Sequence, residues 1–284
     1  HAVLWHNAPM NSSDSSLRPI GVFDSGVGGL TVLKAIRELM PSEDLVYLGD
    51  TARLPYGTKS PASIERYASQ AVAKLQEEDI KLLVIACNTA SAVALDTLSE
   101  QLRPLPVIGV VEPGAAAAIS SRPGGSHLVL ATEATVQLGA YRRAIERRDP
   151  GARVRELACE MLVSLAEEGW TTGSIAEAIV RRYLEADRHG GFTPDSIILG
   201  CTHFPLLMPA IANVAGPDVA IVDSASTTAA LVRERLGDEQ LLNRGRQSAR
   251  MRLLATDGAT RFARVGGRFL DAELTYSDIR IVDL

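Results

Sequence analysis

Two short stretches of this chain place a thiol where an apolar run hands over to a polar pair. In LLVIACNTASAVAL, residues 82–95, Cys87 follows aliphatic residues and precedes Asn88 and Thr89; in SIILGCTHFPLL, residues 196–207, Cys201 follows a second run and precedes Thr202 and His203. Free cysteine is usually a small buried hydrophobe. Here the polar neighbours stand where a pure core would want aliphatics. Both thiols read as lying past a strand's carboxyl end and before a helix, where unpaired N–H groups and positive potential lower a thiol's pKa and favour the reactive thiolate. Two such thiols in two matching stretches imply an opposed pair across a cleft.

Other stretches could serve that cleft. DSGVGGLTVLKAI, from Asp24, carries Gly26, Gly28 and Gly29 after an apolar run, so the backbone can turn tightly and come close to a ligand. It lacks the full G-x-G-x-x-G spacing of a dinucleotide site, and no phosphate-binding G-x-x-x-x-G-K-[ST] occurs. Asp24 and Ser25 would put a charge and a hydroxyl beside a ligand. GDTARLPYGTKS, residues 49–60, holds Tyr56 and Gly57 either in a plain turn with a buried aromatic or in a ligand loop at the same edge. Cys159, in LACEML, has no polar pair after it and reads as core. Glu167 and Glu168 before Gly169 read from spacing alone as the solvated end of a helix. His203 reads as a loop histidine; Cys201-x-His203 is half a metal site without further ligands, and the chain has no CxxC or HExxH, so no metal is expected.

The elements that must position these residues alternate. PIGVF (19–23), DLVYL (44–48), KLLVIA (81–86) and PVIGVV (106–111) read as four buried strands, and HLVLAT (127–132), RVRELA (153–158), SIILG (196–200) and VAIVD (219–223) as four more. Between the second and third, Ile64, Tyr67, Ala68, Ala71, Val72 and Leu75 share one face of a helix. The fold class is therefore α/β, as two similar doubly wound halves. The tail beyond about Ala229 has strand and helix signals but no new chemistry, and is expected to complete the first sheet.

Bulk properties narrow the function. The 284 residues are 46% hydrophobic and 22% charged, and a net charge of −5 offers no footprint for nucleic acid or an anionic membrane. No apolar run reaches the roughly 18 residues of a membrane span. Three widely spaced cysteines argue against a disulfide framework and for the cytoplasm. Met10 reads as a natural start, with residues 1–9 as a leader.

The motifs together identify a family. From Ile20 onward the chain resembles the glutamate racemases of the aspartate/glutamate racemase superfamily: GVFDSGVGGLTV, YLGDTARLPYG, VIACNTASA, GVVEPG, ATEATV, EEG and LGCTHFPLL occur in that family's order. The resemblance implies two α/β domains facing each other across a central cleft with pseudo-twofold symmetry. Residues 18–114 with 230–284 would carry Cys87, residues 115–229 would carry Cys201, and residues 1–17 would be a disordered leader. It implies cofactor-independent interconversion of L- and D-glutamate that supplies D-glutamate for peptidoglycan. Cys87 and Cys201 fall on the two catalytic cysteines, Asp24 on the carboxylate assisting the first, and Glu167 and His203 on the groups assisting the second. Asp24, Ser25, Tyr56, Gly57, Asn88, Thr89, Thr132, Thr135, Thr202 and His203 match substrate-contacting positions. The implied partner is glutamate, with no nucleic acid or membrane, and with a homodimer left open.

Two thiols on opposite faces of a substrate can remove and return an α-proton without either having to move. By the resemblance, Cys87 deprotonates the D-isomer and Cys201 the L-isomer. Three departures stand out: Glu160, Met161 and Leu162 follow Cys159 where the family has proline, leucine and phenylalanine; Leu138 replaces a small polar residue; Phe204 replaces a tyrosine. The alternatives are a one-cysteine isomerase or decarboxylase of the superfamily, which the presence of both thiols disfavours, and a DNA-gyrase-binding role, for which residues 10–18 are a short polar extension.

Overall fold

Strands buried on both faces of a parallel sheet need continuous apolar sequence, and the aliphatic runs supply it. The computed structural model describes residues 15–188, 191–245 and 249–284. The strands are β1 (Ile20–Asp24), β2 (Leu45–Gly49), β3 (Leu82–Ile85), β4 (Val107–Gly109), β5 (Ser126–Ala131), β6 (Arg153–Ala158), β7 (Ser196–Gly200), β8 (Ala220–Asp223), β9 (Met251–Ala255) and β10 (Ile279–Ile281). They form two parallel sheets, ordered β10-β9-β2-β1-β3-β4 and β6-β5-β7-β8. The eight expected strands are all present. PVIGVV is shorter than read: β4 ends at Gly109, and a helix starts at Val111 with Pro113 in its first turn, a position that tolerates a missing N–H. The tail adds β9 and β10 to the free edge of β2.

Helices cover the sheets. The helix Pro61–Gln76 buries Ile64, Ala68, Ala71, Val72 and Leu75, the spaced apolar face of the sequence, and Ser60 caps it by accepting from the Ser63 N–H. The chain leaves the first sheet through the helix Val111–Ser121 and returns from the second through the helix Ser224–Asp238; these two helices touch, and the latter also packs on the helix Leu30–Leu39.

Of the N-terminal tail expected to be disordered, residues 1–14 lie outside the described residues, as does most of the segment considered for gyrase binding. Ser15 to Leu17 depart from that expectation. Ser15 and Ser16 are helical, and the buried Lys81 Nζ donates to the Ser16 carbonyl at 2.6 Å while pairing with Glu43. Among the described residues no helix is long and apolar enough to cross a membrane.

The topology fixes where chemistry can happen. In an open parallel sheet, ligands bind beyond the carboxyl ends of strands at the point where the winding reverses. That point lies between β1 and β3 in the first sheet and between β5 and β7 in the second. Asp24 ends β1, Cys87 follows β3, Thr132 follows β5 and Cys201 follows β7.

Candidate active site

One cavity joins the two switch points. Cys87, Asn88 and Thr89 from the first sheet and Thr132, Cys201 and Thr202 from the second line its walls. Ser25, Tyr56 and Gly57 complete it on one side, and Glu167 and His203 on the other. Asp24 and Thr135 are brought close but lie behind the walls, 1% and 0% exposed.

Cys87 has extended backbone angles and caps the helix Asn88–Gln101, its Sγ accepting from the Ala90 N–H at 3.4 Å. Asp24 is held by one oxygen. Its Oδ2 accepts from the Gly26 N–H at 2.9 Å and lies 3.2 Å from the Tyr47 hydroxyl, which also donates to the Gly26 carbonyl; Oδ1 has no partner among the described residues. The helix start was expected to lower the thiol's pKa. Instead burial, then the charge of Asp24, push Cys87 up to about 12, against the opposing hydrogen bonds from Ser25 and Ala90. Desolvation of a thiolate outweighs a single helix terminus.

Cys201 departs from expectation differently. No α-helix begins beside it: a 3₁₀ turn, Phe204–Leu207 with Pro205, intervenes before the helix Met208–Ala215. Its partner is a side chain. Sγ lies 3.8 Å from His203 Nδ1, whose Nε2 is 3.2 Å from Glu167 Oε1. Arg261 Nη2 donates to Glu167 Oε2 at 2.7 Å, and Arg268 holds the Glu167 carbonyl. Burial pulls the imidazole's pKa down, but the bonds to Cys201 and Glu167 outweigh it and raise His203 to about 10. The bond from His203 in turn holds Glu167 below the usual carboxylate range. The glutamate that spacing left as a solvated helix end is thus the middle of a relay, and the tail that offered no chemistry supplies its arginines.

The remaining expected residues divide by function. Tyr56 and Gly57 line the cavity, and the Tyr56 hydroxyl is committed to Asp50 Oδ2 at 2.5 Å. Asp50 also takes Arg53 and Thr256, so it anchors this loop to the tail. The hydroxyls of Thr89, Thr132 and Thr135 form a ring with separations of 3.1 to 3.2 Å across the two halves. Thr202 meets the start of the helix Leu30–Leu39 that follows the β1 loop: Thr31 Oγ1 lies within hydrogen-bond distance of its carbonyl, at 3.0 Å. Gly28 permits this approach, because a Cβ there would lie 2.4 Å from Thr202 Oγ1 and 2.5 Å from His203 Nδ1.

Sequence reasoning missed Tyr47, Asp50, Tyr141 and Arg261, which hydrogen-bond site residues from behind, and Glu160, which lines the cavity and accepts at 2.6 Å from the N–H of Glu133, at the start of the earlier helix Glu133–Leu138. The departure at Glu160 was the one signal available for the last of these. Cys159 is core as expected, fully buried beneath the second sheet's helices. Among the described residues, no cluster of three His, Cys, Asp or Glu side chains is arranged to hold a metal.

The arrangement places two thiols from two sheets on one cavity, Cys201 beside His203 and Cys87 under the charge of the buried Asp24. Such a pair suits proton removal and return at one carbon.

A sequence model of the Asp/Glu/Hydantoin racemase family matches residues 20–232. The glutamate racemase of Geobacter metallireducens is 47% identical over 257 residues, covering 90% of this chain and 94% of that one. The glutamate racemase of Neisseria meningitidis is 44% identical over 267 residues, covering 94% and 97%. The crystal structure of glutamate racemase from Francisella tularensis in complex with D-glutamate superposes with a TM-score of 0.86 at 36% identity, covering 94% of this chain and 98% of that one.

Proposed function

This chain belongs to the Asp/Glu/hydantoin racemases and, among them, to the glutamate racemases, and we propose that it interconverts L- and D-glutamate by a two-thiol proton transfer. The observation that carries the reading is the single cavity walled by Cys87 from one sheet and Cys201 from the other.

In this scheme glutamate lies between the sulfurs with its α-carbon facing both. A Cys201 thiolate, with the His203 imidazolium and Glu167 behind it, takes the α-proton of L-glutamate; the Cys87 thiol gives its proton to the opposite face, leaving D-glutamate. The reverse direction exchanges the roles. Asp24, with one oxygen uncommitted, stands to assist Cys87 as His203 assists Cys201. The carbanion formed between the two steps needs donors already in place in a dry cleft, and Ser25, Asn88, the threonines and the backbone N–H groups of Tyr56 and Gly57 supply neutral ones. Their neutrality suits a site that must also hold a thiolate. The scheme calls on no cofactor. Residues 18–114 with 230–284 form one domain in this reading and 115–229 the other, and the enzyme works in the cytoplasm, where D-glutamate feeds peptidoglycan synthesis.

The test is circular dichroism of L- and, separately, D-glutamate incubated with reduced, cofactor-free protein in heavy water. Decay of both signals to zero with deuterium entering the α-position is expected. Exchange without loss of optical signal would mean that only one thiol works.

A further inference from the structure

The Asn88 amide carries an unfilled donor. Its Oδ1 accepts from the Tyr141 hydroxyl at 2.7 Å, while its Nδ2 has no partner among the described residues, although the side chain is only 4% exposed. A buried donor left open on the wall of a cavity marks a place for a ligand acceptor. Which end of the amide faces that cavity depends on what holds the other end.

Tyr141 is built to hold it. It lies in the helix Ala140–Arg148 that packs on the second sheet, so its bond to Asn88 spans the two halves. The ring is fully buried and fits where glycines leave room: a Cβ on Gly114 would lie 3.2 Å from it, and one on Gly200, next to Cys201, 3.1 Å. Gly114 sits in the outgoing crossing helix, and Ser224, which opens the returning one, packs near the same ring beside Gly114. Burial first, with nearby carboxylates and Cys201 adding to it, holds the phenol's pKa well above its ordinary value, so the hydroxyl remains a donor.

We propose that Tyr141 is a positioning residue which, by donating to Asn88 Oδ1 across the junction of the halves, turns Nδ2 into the cavity to bind a substrate carboxylate. This rests on the racemase reading. An amide freed to turn over would present Oδ1 to that carboxylate, and two acceptors repel.

The experiment is Tyr141→Phe, which keeps the ring and removes only the donor, assayed against Asn88→Ala and the double variant. Tyr141→Phe should raise KM for both enantiomers about tenfold with kcat changed less than about threefold, the pattern of lost binding. In the Asn88→Ala background it should add less than about twofold, because the group it positions is gone. A wild-type KM in Tyr141→Phe overturns the proposal, and so does an undiminished effect in the Asn88→Ala background. Should Tyr141→Phe fail to fold, Asn88→Asp decides: the carboxylate takes the tyrosine's hydrogen bond but offers the substrate only an acceptor. Loss of glutamate affinity with the fold intact supports the proposal, and unchanged affinity overturns it. A wild-type protein that fails to racemise glutamate brings down the racemase reading and this proposal together, whereas an active wild type beside an unaltered variant overturns the proposal alone.

Discussion

On the first-sheet side of the cavity, the sulfur caps a helix, receives a backbone N–H and has a buried carboxylate behind it; burial and that negative charge keep Cys87 a thiol. On the second-sheet side, the sulfur caps no α-helix and faces an imidazole whose pKa its bonds to Cys201 and Glu167 raise. Equivalent topology thus delivers the two cysteines to opposite electrostatic settings. A racemase built on two bases needs one of them protonated and the other not, and pairs of titratable groups acquire such separate roles from their surroundings. The second half sets a charged side-chain pair beside its sulfur, whereas the first surrounds its sulfur with a desolvating wall.

The strongest way to break this comparison is to remove either sulfur. Cys87→Ala and Cys201→Ala should each lower racemisation by about 10⁴-fold, near the upper limit for a general acid or base. Each should keep one-sided chemistry on a glutamate analogue bearing a leaving group, followed by product release; full turnover by either variant would end the two-base scheme.

His203→Asn should cost less, about 10³-fold. The enantiomers have equal energy, so kcat/KM must fall equally in both directions. The asymmetry between the two sides will appear instead in the α-deuterium isotope effect on kcat, which should rise more for L-glutamate, the isomer deprotonated by Cys201. The same pair leaves a mark on stability. His203 is raised, so its contribution is complete below its ordinary 6.5 and is lost as pH climbs through about 10. Glu167 is lowered, so its contribution is complete above its ordinary 4.5 and is lost as pH falls through the depressed value. The thermal-midpoint difference between wild type and His203→Asn should therefore be greatest between about 4.5 and 6.5 and shrink on either side.

Gly28→Ala should lower activity about 10²-fold by pushing the first-sheet loop off Thr202 and His203, since misplacement by about 1 Å can cost that much. Gly26→Ala is the comparison: a Cβ there meets only Leu54 Cδ2 at 3.5 Å, and the loss should be several-fold smaller. Arg261→Ala should have the smallest effect, no more than about fivefold, because its side chain is 56% exposed and solvent screens the pair. Steady-state kinetics at matched pH checks all three.

Most of the fold was legible because a buried parallel strand writes itself as a continuous apolar run, as β7 does in SIILG; the edge strand β6 matches RVRELA residue for residue although it is only partly buried. Cys87, Cys201 and their polar neighbours were legible because polar residues in such places contradict a core. The second layer was not. Tyr47 and Tyr141 look like ordinary buried aromatics, and Arg261 like an ordinary solvated charge, until folding sets each against a group far away in the chain; Arg261 and Glu167 are separated by 94 residues. Local pattern predicts elements and their faces but carries no record of contacts between remote elements. The raised thiol was missed for a related reason: a helix start is visible in sequence, whereas the desolvation that overrides it comes from the whole surrounding fold.

The late arrival of β9 and β10 at the edge of β2 has a bearing on synthesis. A ribosome delivers both cysteines and the whole second sheet before residue 251 exists, and until then β2 is an open edge and Glu167 has no Arg261 beside it. An incomplete nascent chain therefore carries both thiols and the His203–Glu167 pair without the arginines that hold Glu167, and the unpaired edge is the kind of surface that chaperones and proteases engage. That edge is thus covered only after the whole second sheet has been made.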